Sequence, residues 1–153
     1  MKLAEALINR ADAQKRINQL RERLTRSAKV QEDETPPEDP AELLDEMNRT
    51  VAELTRLVKQ INRTNAVTEL ESGVTLIEAL ADRDTLALKR NVLTALIQAA
   101  TVTQSRFSRS EVKYFSTINV QEIQKQVDDL ARQYRQLDSR IQEINWQTEL
   151  IEN

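Results

Sequence analysis

Apolar side chains recur at alternating intervals of three and four residues along most of this chain, a pattern typical of helices that pack lengthwise. Four stretches carry the pattern and predict four helices, at about residues 2–30, 40–68, 76–103 and 120–152. At about 1.5 Å per residue, each helix would be roughly 40–45 Å long. The stripe predicted for helix 1 is Leu3, Ala6, Arg10, Ala13, Ile17, Leu20, Leu24 and Ser27.

Helices 2 and 4 each show one apolar stripe, and the short links between helices predict antiparallel neighbours. The stripe predicted for helix 2 is Leu44, Met47, Val51, Leu54, Val58, Ile61, Asn65 and Thr68. The stripe predicted for helix 4 is Ile123, Val127, Leu130, Tyr134, Leu137, Ile141, Ile144, Thr148 and Ile151.

Helix 3 is apolar on more than one face. Its apolar positions are Leu76, Ala79, Leu80, Leu86, Ala87, Leu88, Val92, Leu93, Leu96, Ile97 and Ala100. A helix that is apolar around much of its circumference must be covered on several sides. Helix 3 is therefore expected at the centre of the monomer or at a subunit interface, and a homo-oligomer is the partner that we expect.

The connections between the helices have distinct chemistry. Residues 31–39 are acidic and contain two prolines, so they predict a loop. Gly73 predicts a tight turn, followed by a capping box with Thr75 as N-cap and Glu78 three residues later. Residues 104–119 hold three of the five aromatic side chains, and their alternation allows a short β-hairpin between helices 3 and 4. We predict an all-α fold: a single domain over residues 1–153, an elongated antiparallel four-helix coiled-coil-like bundle.

The composition excludes several kinds of chemistry. The chain has no cysteine and no histidine, so thiol nucleophiles, imidazole bases and the commonest zinc ligands are absent. We therefore predict no catalytic residue, no metal site and no cofactor, and a protein that is not an enzyme. A weaker alternative is a magnesium-dependent hydrolase that uses Glu78, Asp82 and Asp84 on helix 3. The N-terminus lacks the unbroken apolar run of a signal peptide, which predicts a cytoplasmic protein without membrane association.

The charge is segregated along the chain. The net charge is −3, yet residues 1–29 carry eight basic against three acidic side chains, and residues 32–46 carry eight acids and no base. We expect the acidic segment to offset the charge of helix 1 or of a neighbouring subunit. Attraction of nucleic acid by helix 1 is the alternative.

Antiparallel pairing predicts a polar layer across the helices. Pairing that sets Leu20 near Val51 also sets Arg10 near Ile61, and the next two pairings bring further polar residues to that level. The predicted members are Arg10, Asn62, Asn65, Arg83, Asp84 and Asp138. One interpretation is a buried hydrogen-bonded network that fixes the alignment of the helices. The other is a pocket for an anion or small molecule.

The 104–119 segment is the second candidate site. Its interleaved cationic and aromatic residues are Arg106, Phe107, Arg109, Lys113, Tyr114 and Phe115. Such interleaving is typical of single-strand nucleic-acid binding. The alternative is an ordered connection whose aromatic rings pack on the end of the bundle or on another subunit.

Four stretches carry a family resemblance: INRTNAVTEL (61–70), LIEALADRDTLALK (76–89), RFSRSEVKYFSTINV (106–120) and INWQTEL (144–150). In this order they resemble a small bacterial all-helical family of unknown function, whose members are often labelled septicolysin. The resemblance covers nearly the whole chain and implies a helical fold without an established chemical role for these motifs. The label implies a haemolysin.

Taken together, these patterns predict a non-enzymatic helical bundle that self-associates and acts as an interaction or scaffold module. The alternative is binding of a phosphate ligand or nucleic acid through Arg106, Arg109, Lys113 and helix 1. A cytolysin, as the family label implies, is a more remote alternative.

Overall fold

The computed structural model describes residues 1–101 and 112–153 and is all-α, with four helices and one small two-stranded sheet in this part of the chain. The elements are α1 (Leu3–Ser27), α2 (Pro40–Val67), β1 (Glu69–Glu71), β2 (Val74–Thr75), α3 (Leu76–Ala100) and α4 (Val120–Gln147). The four predicted helices are confirmed. The first, third and fourth end three to five residues earlier than predicted.

Contacts divide the chain into two compact units, and each is described by itself. The first unit comprises Met1–Glu69 and Gln142–Asn153, and the second comprises Leu70–Ile141.

In the first unit, α1 and α2 form an antiparallel pair. The Arg16 Nε donates to Glu46 at 2.7 Å, and the Arg23 Nε donates to Glu38 at 2.8 Å. As the arginine number rises from 16 to 23, the number of its glutamate partner falls from 46 to 38, so the two helices run in opposite directions. These pairs confirm that acids of residues 32–46 offset the basic charge of helix 1.

The alignment of α1 with α2 differs from the predicted one. Counting six residues along both helices from the Arg16–Glu46 contact places Arg10 closer to the level of Ala52 than to that of Ile61. The prediction aligned apolar residues across the loop, whereas the helices align so that two arginines reach two glutamates.

The buried stripe of α2 also differs from the predicted one. At every second position of the stripe, the more deeply buried residue is the one just before the predicted residue. Leu43 and Leu57 are buried, whereas the predicted stripe members Leu44 and Val51 are exposed. Thr64 is fully buried, and its hydroxyl donates to the Gln60 carbonyl at 2.8 Å. A threonine that donates to the preceding turn can enter an apolar stripe, and apolar periodicity alone does not detect it.

The chain termini meet in the first unit. Lys2 and Glu149 form an antiparallel bridge in which the Leu3 N–H donates to the Thr148 carbonyl at 2.9 Å and the Leu150 N–H donates to the Met1 carbonyl at 2.8 Å. This pairing satisfies a donor of the first turn of α1. It also explains why α4 ends at Gln147 rather than at residue 152.

The second unit begins with the β-hairpin, which turns at Gly73 with a φ of 78°. The Thr75 N–H donates to the Glu78 carboxylate at 2.8 Å, and the Glu78 N–H donates to the Thr75 hydroxyl at 3.4 Å. The predicted turn and capping box are both confirmed. The box fixes where α3 starts.

Helices α3 and α4 run antiparallel in the second unit. Arg83 donates to Asp138 at 2.9 Å, and the Arg90 guanidinium lies 5.4 Å from the centre of the Tyr134 ring. Asn119 caps α4 by accepting from the Glu122 N–H at 3.2 Å.

The predicted hairpin between helices 3 and 4 is not found in the described part of its segment. Residues 112–119 contain no strand, and residues 104–111 lie outside the described residues. The described sheet lies instead between α2 and α3. No helix among the described residues is long and apolar enough to cross a membrane.

Candidate interaction surface

Helix α3 has two different faces. Arg83 and Arg90 lie on the face directed towards α4, where they contact Asp138 and Tyr134. The half-buried positions of α3 follow this face, namely Leu80, Arg83, Leu86, Ala87, Arg90, Leu93, Thr94, Ile97 and Ala100. Within α3 only Leu76 and Ala79 are fully buried.

The opposite face of α3 is apolar and exposed. Leu88 is 63% exposed, Val92 60% and Leu96 38%, and these residues are spaced by one helical turn. We call this surface the α3 apolar face, and its members are Ile77, Ala81, Leu88, Val92, Ala95, Leu96 and Ala99. Residues 91–100 contain no charged side chain. The prediction that helix 3 is apolar on more than one face is confirmed.

Two aromatic rings extend this surface at the C-terminal end of α3. Tyr114 is 75% exposed and Phe115 is 80% exposed. They line an open groove of about 400 Å³ together with Leu96, Ala99, Ala100, Thr101, Ser116, Thr117 and Ile118. Because the groove shares Leu96 and Ala99 with the helix, the rings and the α3 apolar face form one continuous surface.

The size of this surface is that of a functional patch. An aromatic side chain carries roughly 150–250 Å², so the two rings alone expose about 300 Å². With Leu88, Val92 and Leu96 added, the surface reaches the upper part of the roughly 300–600 Å² of the largest apolar patch on a typical monomer, and such patches often mark interaction sites.

Three of the six predicted polar-layer residues lie together, in the second unit. Arg83 donates to Asp138 at 2.9 Å and lies 3.3 Å from Asp84. Burial lowers the pKa of Arg83, but hydrogen bonds to Asp138 and Asp84 outweigh it and raise the pKa overall. Its charge is therefore balanced by two carboxylates, and the cluster stabilises the α3–α4 pair.

The other three polar-layer residues belong to the first unit. Arg10 is half-buried and its Nε has no hydrogen-bond partner within the described chain. Asn65 is buried, at 9% exposed, whereas Asn62 is exposed on α2. The predicted place of Arg10 in the polar layer depended on its lying beside Ile61. The observed alignment of α1 with α2 does not support that position.

The predicted residues of the connecting segment divide into two groups. Lys113, Tyr114 and Phe115 are exposed to solvent. Arg106, Phe107 and Arg109 lie outside the described residues.

The acidic residues of α3 do not form a metal site. No group of three acidic side chains within residues 1–101 and 112–153 is arranged to hold a metal ion. Hydrogen bonds from the Thr75 N–H and hydroxyl hold the pKa of Glu78 below its usual range, so this carboxylate serves the capping box.

The sequence reasoning missed a set of polar residues around the chain termini. The Gln60 side chain donates to the Glu152 carbonyl at 2.9 Å, and the Ile151 N–H donates to the Thr64 hydroxyl at 3.0 Å. The Lys2 ammonium lies 2.6 Å from Glu149 and helps to lower the pKa of that carboxyl. The burial of Thr64 could have been predicted from its spacing of seven residues from Leu57. No pattern in the sequence indicated that Gln60 is buried.

A family model with the description "Family of unknown function (DUF6847)" matches residues 10–150. The chain belongs to this family. The crystal structure of a functionally unknown conserved protein from Corynebacterium diphtheriae is similar to this chain, with a TM-score of 0.91 and 48% sequence identity. The match covers 99% of each chain. No curated protein matches the sequence.

The family assignment supports part of the resemblance seen in the sequence. This DUF6847 protein has a helical fold, and its family carries no described function. Neither comparison carries a septicolysin label or indicates enzymatic or cytolytic activity.

Proposed function

We propose that this DUF6847 protein is a non-enzymatic interaction module that associates with a second copy of itself through the α3 apolar face and the Tyr114–Phe115 pair. The observation that carries the proposal is the exposure of Leu88, Val92 and Leu96 on one face of a helix whose other face already packs on α4. The predicted coiled-coil oligomer and cytoplasmic location belong to the same proposal.

The area of the surface supports a second copy of the chain as the partner. A standard protein interface buries about 800 Å² on each partner. The combined area of the rings and the α3 apolar face approaches that value. The uncharged segment 91–100 forms the centre of this surface. A symmetric dimer would bury the same patch twice, so one surface is sufficient for both partners.

The proposal is tested by placing a charge within the surface. Leu88→Glu should weaken self-association by about a hundredfold or more, because each copy would then bury an unpaired carboxylate among apolar side chains. Glutamate has a helix propensity close to that of leucine, and position 88 is 63% exposed, so folding should be preserved. Light scattering over a dilution series measures the effect, and circular dichroism checks the fold.

A matched control is available on another helix. Val67 is 65% exposed at the end of α2, outside the proposed surface. Val67→Glu should leave association unchanged. Equal weakening by both variants would show that added negative charge, rather than the α3 apolar face, is responsible.

Binding of a phosphate ligand or nucleic acid is the alternative that retains one favourable observation, the exposed Lys113 beside two exposed rings. Two cations of α1 are less available to a polyanion, since Arg16 and Arg23 are engaged by Glu46 and Glu38. Titration with a fluorescent single-stranded oligonucleotide at low salt tests this alternative. The cytolysin implied by the septicolysin label would have to release dye from liposomes.

A further inference from the structure

The geometry points to a specific arrangement: two copies pair antiparallel along α3, with Val92 of each copy at the two-fold axis. This inference rests on the proposed self-association and adds the direction and alignment of the two helices. It follows from the order of large and small residues along the α3 apolar face, together with the position of the rings at one end of it.

The apolar face is nearly symmetric about Val92. Leu88 and Leu96 lie four residues before and after Val92, and both are exposed. Thr85 and Ala99 lie seven residues before and after it, and both are exposed small side chains. An antiparallel pair centred on Val92 would therefore bring Leu88 of each copy opposite Leu96 of the other.

The position of the rings favours the antiparallel direction. Tyr114 and Phe115 lie beside Leu96 and Ala99, at the C-terminal end of the face. Towards the other end the exposed residues Ala81 and Thr85 are small, and the larger Ile77 lies one turn beyond Ala81. In an antiparallel pair each set of rings would lie over the small residues of the partner. In a parallel pair the rings would meet rings, and the small residues would face one another across a gap.

The helix dipoles favour the same direction. An antiparallel pair sets the dipoles of the two α3 helices in opposition, whereas a parallel pair aligns them side by side.

Engineered cysteines can test the direction because the chain has none of its own. Helix axes in contact are about 8–10 Å apart and Cα atoms lie about 2.3 Å from each axis, so facing Cα atoms come within roughly 3.5–5.5 Å. A disulfide spans Cα atoms about 4.4–6.8 Å apart. Cysteines at position 92 should therefore cross-link, whereas two copies of position 88 would be about 12 Å apart along the axis.

The expected result under mild oxidation is a pattern over five samples. Val92→Cys forms a covalent dimer, and Leu88→Cys and Leu96→Cys do not when tested singly. A mixture of Leu88→Cys with a mass-tagged Leu96→Cys forms the mixed dimer. Val67→Cys, at an equally exposed position on α2, serves as the control for random collision. Because facing thiols have a millimolar effective concentration, Val92→Cys at about 10 μM should react roughly a hundred times faster than this control.

The outcomes separate the arrangement from the self-association on which it rests. If the native chain is a dimer and Leu88→Cys or Leu96→Cys cross-links with itself as fast as Val92→Cys, the helices pair in parallel and the inference is wrong. The same holds if the native chain is a dimer and Val92→Cys reacts no faster than Val67→Cys. A native chain that stays monomeric overturns the self-association, and the arrangement with it.

Discussion

Arg83 shows how a charged side chain can occupy an otherwise apolar helix stripe. It lies on the face of α3 directed towards α4, where two carboxylates accept its hydrogen bonds. The contact with Asp138 joins two helices, whereas the contact with Asp84 is between neighbours in sequence. The two carboxylates should therefore differ in their effect on stability.

Asp138→Ala should lower the free energy of unfolding by about 1 kcal/mol, because it leaves a half-buried guanidinium without its partner on α4. Asp84→Ala should lower it by less than about 0.5 kcal/mol, since that carboxylate is largely exposed and solvent screens the pair. Urea denaturation at one protein concentration measures both. A larger loss from Asp84→Ala would contradict the assignment of Asp138 as the main partner.

Glu78 gives a pH-dependent prediction at the same scale. Its pKa is lowered in the folded protein by hydrogen bonds from Thr75. Its contribution to the free energy of unfolding is therefore complete when the pH is above the usual carboxyl pKa. That contribution is lost as the pH falls through the lowered value. Glu78→Gln should therefore be less stable than the native chain at about pH 7, and the difference should shrink by about pH 3.

Denaturant unfolding across this pH range measures the difference. Asp82→Asn is the control, since it removes the same charge from the same helix without touching the capping box. A Glu78→Gln difference that stays constant with pH would show that the lowered pKa is not the cause.

At the scale of helices, much of the fold was predictable from apolar spacing. The predicted stripe positions of α1 and α4 are buried or half-buried, except Ile151, which lies beyond α4 and is 38% exposed. Helix 2 was predicted with nearly the observed bounds, but every second position of its stripe was placed one residue too late. At the shifted positions Thr50 and Thr64 lie in the stripe, and their hydroxyls donate to carbonyls one turn earlier. Apolar periodicity ranks Val51 above Thr50, and it does not choose between the adjacent residues Leu43 and Leu44.

A pair of leucines on α2 tests this corrected stripe. Leu57→Ala should destabilise the protein by about 2–4 kcal/mol, because the side chain is 1% exposed and its loss leaves a cavity. Leu44→Ala should cost less than about 1 kcal/mol, since its side chain is 45% exposed. Thermal or urea unfolding of the two variants measures the difference, and equal losses would contradict the shifted stripe.

The candidate site was predictable only in part. The excess apolar surface of α3 and the aromatic pair Tyr114–Phe115 were visible in the sequence. The polar layer as a whole stays a prediction, because it requires three helix alignments to be correct at once. Its Arg83, Asp84 and Asp138 members are found together in the second unit. The contacts of Arg16 with Glu46 and of Arg23 with Glu38 are not encoded in apolar spacing.

At the scale of the whole molecule, the second face of α3 is the surface for which we propose a partner. The charges of Arg16, Arg23 and Arg83 are already paired with acids within the chain. Within residues 1–101 and 112–153 the α3 apolar face and the two rings are exposed, and in our proposal a second copy of the chain covers them. The single domain predicted over residues 1–153 remains a prediction alongside this proposal.

The most direct test of the central claim is the mass of the native chain in solution, measured by sedimentation equilibrium over a wide range of concentrations. The proposal predicts a mass of twice 17.6 kDa at high concentration, with dissociation on dilution. A mass of 17.6 kDa that does not change with concentration would contradict it.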